Sequence, residues 1–202
     1  MLREVQKQDT KQLIFTKAIK LFKEKGYDHV TVQEIASTCG IAKGTFFNYF
    51  SKKEDVLLYF GESQLQLLEQ NLKTYQSIND PKQKIVTLLG ELLKRYSAEG
   101  ELMKLVISEI VRSAFVSAME SNSIKRLEAV LADIINEAKQ QGTLHSVHDT
   151  ELISSVVIGA YFHTMMTWSL LHTSGEPIDY HFERHLNAVW HGICFVKEEH
   201  LS

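Results

Sequence analysis

The chain has 202 residues, 44% of them hydrophobic, and a formal net charge of −3, which leaves room for one large domain or two modest ones with a packed core and excludes a binder that holds nucleic acid by bulk charge. The charge is uneven: residues 1–60 hold ten Lys or Arg against seven Asp or Glu, or +3, while residues 61–202 hold twelve against eighteen, or −6. A mildly basic head on an acidic body keeps attraction for phosphate local. The first predicted helix runs from Lys11 to Lys25 with a stripe of Ile14, Ala18, Leu21 and Phe22, and stops at Gly26-Tyr27. Before it, MLREVQKQDTK is charged and polar rather than a secretory leader, so the cytoplasm is the expected compartment.

The most informative stretch follows, TVQEIASTCGIAKGTFFNYFSKKE at residues 31–54. Thr31 is placed to cap a short helix whose one face carries Val32, Ile35, Ala36 and Cys39. Gly40 suits the left-handed conformation that ends such a helix, small Ala36 allows close crossing, and Ile41 plugs the turn. The next helix, from about Ala42 to Asn48, is too short to stand alone, so its value lies in what it presents once packed. It presents Lys43, Thr45, Asn48 and Tyr49, an ammonium, two hydroxyls and an amide suited to phosphates and major-groove base edges, with Phe46 and Phe50 as inward anchors. Ser51-Lys52-Lys53-Glu54 reads as a capping box, placing Lys53 at a helix N-terminus where phosphate is favoured.

From about Thr10 to Phe60, and above all in GTFFNYFSKKEDVL, the chain resembles the DNA-binding domain of the TetR family of bacterial transcriptional regulators. The resemblance implies that the short helix from Ala42 lies in the major groove and that Thr31, Lys43, Thr45, Tyr49 and Lys53 touch phosphate. It gives a DNA-facing set of Thr31, Lys43, Gly44, Thr45, Phe47, Asn48, Tyr49 and Lys53. Two positions depart from the family's pattern: Ala42 stands where serine is frequent, and Phe47 where tyrosine is frequent. Asn48 and Thr45 are the expected sequence readers, since an amide pairs bidentately with adenine.

Beyond the head the chain continues helical. Leu65, Leu68, Leu72 and Tyr75 extend the helix begun after Ser51 into one rod. Asp80-Pro81 opens a helix carrying Ile85, Leu89, Leu92 and Tyr96, with aspartate as cap and proline in the first turn. After Gly100 comes an apolar segment from Glu101 to Val116, in which Glu109 pairs with a base such as Arg112 or faces a ligand; then a helix with Ile124, Leu127, Leu131, Ile134 and Ala138 before Gly142. Leu152 to Leu171 contains no charged residue, but Ser154, Ser155, His163, Thr164, Thr167 and Ser169 interrupt it, so a helix buried on several sides is expected rather than a membrane span. The last helix, about Asp179 to Glu198, repeats Phe182, Leu186, Val189, Ile193 and Val196. The helices at about 150–171 and 179–198 are the expected homodimer face.

The resulting expectation is an all-α protein of about nine helices: a three-helix head at residues 1–53 and an effector-binding and dimerisation body at residues 54–202. The family resemblance implies a small-molecule effector in the body. Met103, Phe115, Met119, Tyr161, Phe162, Met165, Met166 and Trp168 form the search region for it, a soft aromatic set suited to an apolar ligand. His181 and His185 lie four apart, and His145 and His148 three apart, but two ligands do not make a site, so no metal or cofactor is expected. Cys39 and Cys194 read as small buried hydrophobes. The sequence lacks a nucleophile elbow, a phosphate-binding glycine loop, a zinc-protease HExxH and a dinucleotide fingerprint, so no catalysis is expected. The function read from all this is a ligand-responsive repressor that leaves a palindromic DNA operator when an effector binds. The competing reading is a helical ligand-binding or interaction module whose head does not bind DNA specifically.

Overall fold

A computed structural model describes residues 2–100, 102, 104, 105, 107, 122–171 and 175–194. Among them lie eight α-helices and no strand: α1 (Leu2–Lys25), α2 (Val32–Thr38), α3 (Lys43–Phe47), α4 (Glu54–Gln70), α5 (Pro81–Ser97), α6 (Asn122–Gln140), α7 (Thr150–Leu171) and α8 (Ile178–Ile193). Short 3₁₀ turns at Tyr27–His29 and Leu72–Tyr75 complete the order. The all-α architecture agrees with the sequence, and no described helix is long and apolar enough to cross a membrane. The segment 108–121, with Glu109 and Arg112, lies outside the described residues.

Local chemistry explains most helix ends. The Thr31 hydroxyl accepts the Glu34 N–H at 3.1 Å, and the Asp80 carboxylate accepts the Gln83 N–H at 2.6 Å with Pro81 in the first turn. Gly40 adopts φ of +69° between α2 and α3, as a non-glycine residue rarely does. Four expectations need correction. Helix α1 begins at Leu2, nine residues early, because Gln8 donates to the Tyr59 hydroxyl at 2.9 Å and Lys11 pairs with Glu62 at 3.1 Å, giving α1's first half a partner in α4. The Ser51–Glu54 capping box does not form. Instead the Asp55 carboxylate accepts the Ser51 and Lys52 N–H groups at 3.0 and 3.2 Å, while Glu54 accepts the Tyr27 hydroxyl at 2.9 Å.

The predicted rod also breaks. The Asn71 side-chain amide donates to the Leu67 carbonyl at 2.8 Å, competing for an acceptor of the last turn, so α4 ends at Gln70 and Leu72–Tyr75 tighten into the 3₁₀ turn. In α6 the buried stripe is Ile124, Leu127, Leu131, Ile135 and Ala138, whereas Ile134 is half-buried.

The core is continuous from head to body. Helix α4 lies between them: it packs on α1 through Phe15, whose ring centre lies 5.2 Å from that of Tyr59 and 6.1 Å from that of Phe60, and on α6 through a bidentate Arg126–Glu69 pair. Lys23 at the end of α1 pairs with Glu99 beyond α5, a second tie between head and body. Helix α5 is the centre of the body, contacted by α4, α6 and α8. Gly90 lets α8 come close, since a Cβ there would lie 3.3 Å from that of Asp179. Phe60 meets Tyr96, which hydrogen-bonds Tyr161, and Tyr161 in turn packs on Phe182.

Two expected outcomes test this packing. Phe46→Ala removes a ring with 0% exposure and lowers the unfolding free energy, measured in urea, by about 3–5 kcal/mol. Burial pushes the Tyr96 hydroxyl up to about 12 from its ordinary 10. Stability contributed by its neutral form is therefore complete below pH 10 and lost as pH climbs toward 12, so urea midpoints over that range fall less steeply in Tyr96→Phe than in the parent.

Candidate nucleic-acid interface

A helix of five residues cannot hold itself, and α3 is fixed from below. Phe46 and Phe50 are buried, with ring centres 5.7 Å apart, and Phe50 meets Tyr59 of α4 at 5.6 Å. From above, Ile41 is half-buried against the core and its N–H bonds the Ala36 carbonyl at 3.0 Å, closing the turn. Those anchors aim Lys43, Gly44, Phe47 and Asn48 at solvent, with Thr45 and Tyr49 half-exposed beside them.

Among the described residues, no side chain engages Lys43, Thr45, Asn48 or Tyr49 through a hydrogen bond or ion pair. An ammonium, two hydroxyls and an amide are thus displayed together and unspent. Ala42 caps α3 without a side-chain hydrogen bond. The cap side chain therefore takes up none of the first N–H groups of α3, the groups that bind phosphate at a helix start. Gly44 is not demanded by its own chain, because a Cβ there would meet nothing within 4 Å. Its bareness clears the approach to those N–H groups. Phe47 is 47% exposed, a large ring set toward solvent beside the polar four.

Thr31 and Lys53 are placed differently. The Thr31 oxygen is occupied as the α2 cap, which leaves its O–H as a donor. Lys53 is a brace that the sequence reading missed: its Nζ donates to the carbonyls of Tyr27 at 2.9 Å and Val30 at 3.1 Å and lies 4.0 Å from the Tyr27 ring centre. These contacts tie the start of α4 to the connection between α1 and α2. The only prior signal was a tyrosine and a lysine twenty-six residues apart. Burial pushes the Cys39 thiol upward, which argues against a reactive thiolate beside the turn.

In the body, the structure separates the expected ligand set. Tyr161 and Met165 are buried on one side of α7, while Phe162, Met166 and Trp168 are half-buried; Met103, Phe115 and Met119 lie outside the described residues. A cavity of about 220 Å³ lies between the Leu72–Tyr75 turn, α5 and α6, lined by Leu72, Tyr75, Leu88, Val130 and Ile134 with Lys84 and Glu137 among its polar groups. None of the expected ligand residues lines it.

Two short helices crossing at a glycine turn, with the second displaying phosphate- and base-directed groups, define a helix-turn-helix DNA-binding protein. Residues 14–60 match the family profile described as bacterial regulatory proteins, tetR family. The fatty acid metabolism regulator protein of Bacillus subtilis (strain 168) is 26% identical over 165 residues, covering 81% of this chain and 85% of that one. The structure of FadR from Thermus thermophilus, a TetR family transcriptional repressor in complex with lauroyl-CoA, superposes with a TM-score of 0.77 at 25% identity, covering 95% of this chain and 99% of that one. FadR from Bacillus subtilis in complex with stearoyl-CoA shares the fold, with a TM-score of 0.66 at 22% identity over 90% of this chain and 98% of that one. The head thus matches the DNA-binding domain of the TetR family, and most of the chain is similar to regulators of that family. The relative and the two solved structures are named as regulators.

Three substitutions separate reading from bracing. Lys43→Ala lowers operator affinity and flattens the slope of log affinity against log salt by about 1, with an unchanged melting temperature. Gly44→Ala weakens DNA binding while raising helix stability by about 0.5–1 kcal/mol. Lys53→Met lowers the melting temperature of the free protein, because two carbonyls lose their donor.

Proposed function

We propose that the chain is a homodimeric repressor that leaves a palindromic operator when an acyl thioester of the coenzyme A class enters its body. The observation that carries the reading is the unspent polar face of α3, held rigidly by Phe46 and Phe50. Thr31, Lys43, Gly44, Thr45 and Tyr49 meet phosphate, Asn48 and Thr45 read bases, Phe47 offers apolar contact to a thymine methyl, and Lys53 serves chiefly by holding the block in place. Residues 1–53 act as the head and residues 54–202 as the body, in the cytoplasm where the DNA is.

Dimerisation follows from reach. One short recognition helix contacts too few base pairs to select a genomic site, so two copies bind half-sites about 34 Å apart or a multiple of it. Helices α7 and α8 supply the interface, but not through the apolar repeat of α8. Phe182, Leu186 and Ile193 are buried within the protomer, so they face the chain's own core. The opposite faces carry Leu152, Ser155, Gly159 and His163 on α7, with Tyr180, Arg184 and Ala188 on α8. The exposed α7 stripe from Leu152 onward has no charge, as suits a surface that a second copy covers.

The effector class rests on the acyl-CoA complexes of the two similar regulators. Tyr161, Phe162, Met165, Met166 and Trp168, with Met103, Phe115 and Met119, receive the acyl chain. The signal reaches the head through contacts already described, Tyr161 to Tyr96, Tyr96 to Phe60, and Phe15 to Tyr59, so that α4 tilts and the two α3 helices lose register.

Gel mobility shift on duplexes from the region upstream of its own gene tests the proposal, with tryptophan fluorescence following ligand binding. One saturable, sequence-selective complex is expected, dissociated by lauroyl-CoA or stearoyl-CoA and not by free coenzyme A. Binding without sequence preference would point to the interaction-module reading instead. A DNA complex that survives acyl-CoA concentrations saturating the fluorescence change would remove the proposed release.

A further inference from the structure

Among the described residues no group of three or more His, Cys, Asp or Glu is arranged to hold a metal within one chain. The structure does, however, join two histidines that are twenty-two residues apart in sequence. His163 of α7 and His185 of α8 meet with ring centres 4.9 Å apart and ring planes at 66°. His163 is exposed and His185 half-buried, and both sit on the uncovered side of the α7–α8 pair.

The tautomer of His185 follows from counting donors. The Thr164 hydroxyl has one proton, and it is directed to the Ala160 carbonyl at 2.8 Å. The 2.7 Å contact between Thr164 Oγ1 and His185 Nδ1 is then made by the ring donating its Nδ1–H, which leaves the Nε2 lone pair free. That is how a metal-binding imidazole is commonly fixed, with one nitrogen tied to a supporting acceptor and the other presented to the ion. Separation fits as well. Two imidazoles bound to one tetrahedral ion at about 2.1 Å have ring centres about 5 Å apart.

Both residues lie near the middle of their helices, α7 spanning Thr150–Leu171 and α8 spanning Ile178–Ile193. A two-fold interface brings residues near its centre against their own copies. Gly159 and Gly192 leave open space on these helices, since a Cβ at either would meet nothing within 4 Å. We propose that His163 and His185 form half of a metal site of the zinc class, completed by the same two residues of a second copy, so that one ion clasps the dimer through four imidazoles. The proposal rests on the α7–α8 dimer argued above. Imidazole ligands select zinc-like ions over magnesium or calcium, which prefer oxygen.

Sedimentation velocity on the full chain, in EDTA and in micromolar Zn²⁺, reads the site directly, and isothermal titration gives its stoichiometry. The expected result is a dimer dissociation constant at least tenfold lower in Zn²⁺, unmoved by Mg²⁺, with one ion bound per two chains. His163→Gln and His185→Gln each lose the zinc effect, so their dimer dissociation constants are the same in EDTA and in Zn²⁺. A chain that dimerises in EDTA but shows no zinc shift, or keeps the shift in the double variant, or binds one ion per chain, overturns the shared site and leaves the dimer standing. A chain that stays monomeric with and without zinc overturns the dimer and the site together.

Discussion

Burial of two phenylalanines governs what this protein can do. Helix α3 spans five residues and has no stability of its own, so its direction is the direction in which Phe46 and Phe50 sink into the head. Each consequence at the surface follows from that inward pull. Lys43, Gly44, Phe47 and Asn48 point outward because the positions between and beside them point in. An apolar contact thus sets the presentation of polar groups, and the affinity for a charged polymer depends on a contact that carries no charge.

The same inward packing links the head to the rest of the chain. Phe50 reaches Tyr59, Tyr59 reaches Phe15, and Phe60 reaches Tyr96, so aromatic contact runs from below α3 into the centre of the body. Helix α4 supplies two of these rings and is held on both sides, by α1 through Lys11–Glu62 and by α6 through Arg126–Glu69. An element gripped by both parts is suited to transmit strain between them, because packed interfaces shift between discrete arrangements rather than deforming smoothly.

Much of this was legible in the residues, and the reason is locality. The Thr31 and Asp80 caps, the Gly40 turn and the inward Phe46–Phe50 pair depend on neighbours within a few positions, which spacing reveals. What spacing does not reveal is which distant group claims a side chain. The Lys53 contacts to the Tyr27 and Val30 carbonyls were not legible, because nothing near Lys53 in sequence announced them. The repeat of Phe182, Leu186 and Ile193 marked a face as buried without naming what buries it, and α5 of the same chain does so. Ile134 and Ile135 are adjacent, and only the cavity beside α6 decides which of them turns fully inward. The meeting of His163 with His185 belongs to the same class, a product of helix pairing alone.

The Lys53 brace bears on how such regulators diversify. With its ammonium bonded to two carbonyls and set against the Tyr27 ring, Lys53 ties the start of α4 to the connection between α1 and α2. In the proposed dimer, the letters read within each half-site are then decided by α3, while the interval between half-sites is decided by remote helices that never approach the duplex. Vocabulary and spacing become separately heritable traits. A graft of this head onto a differently shaped body would keep its word and change only the distance at which the word must be repeated.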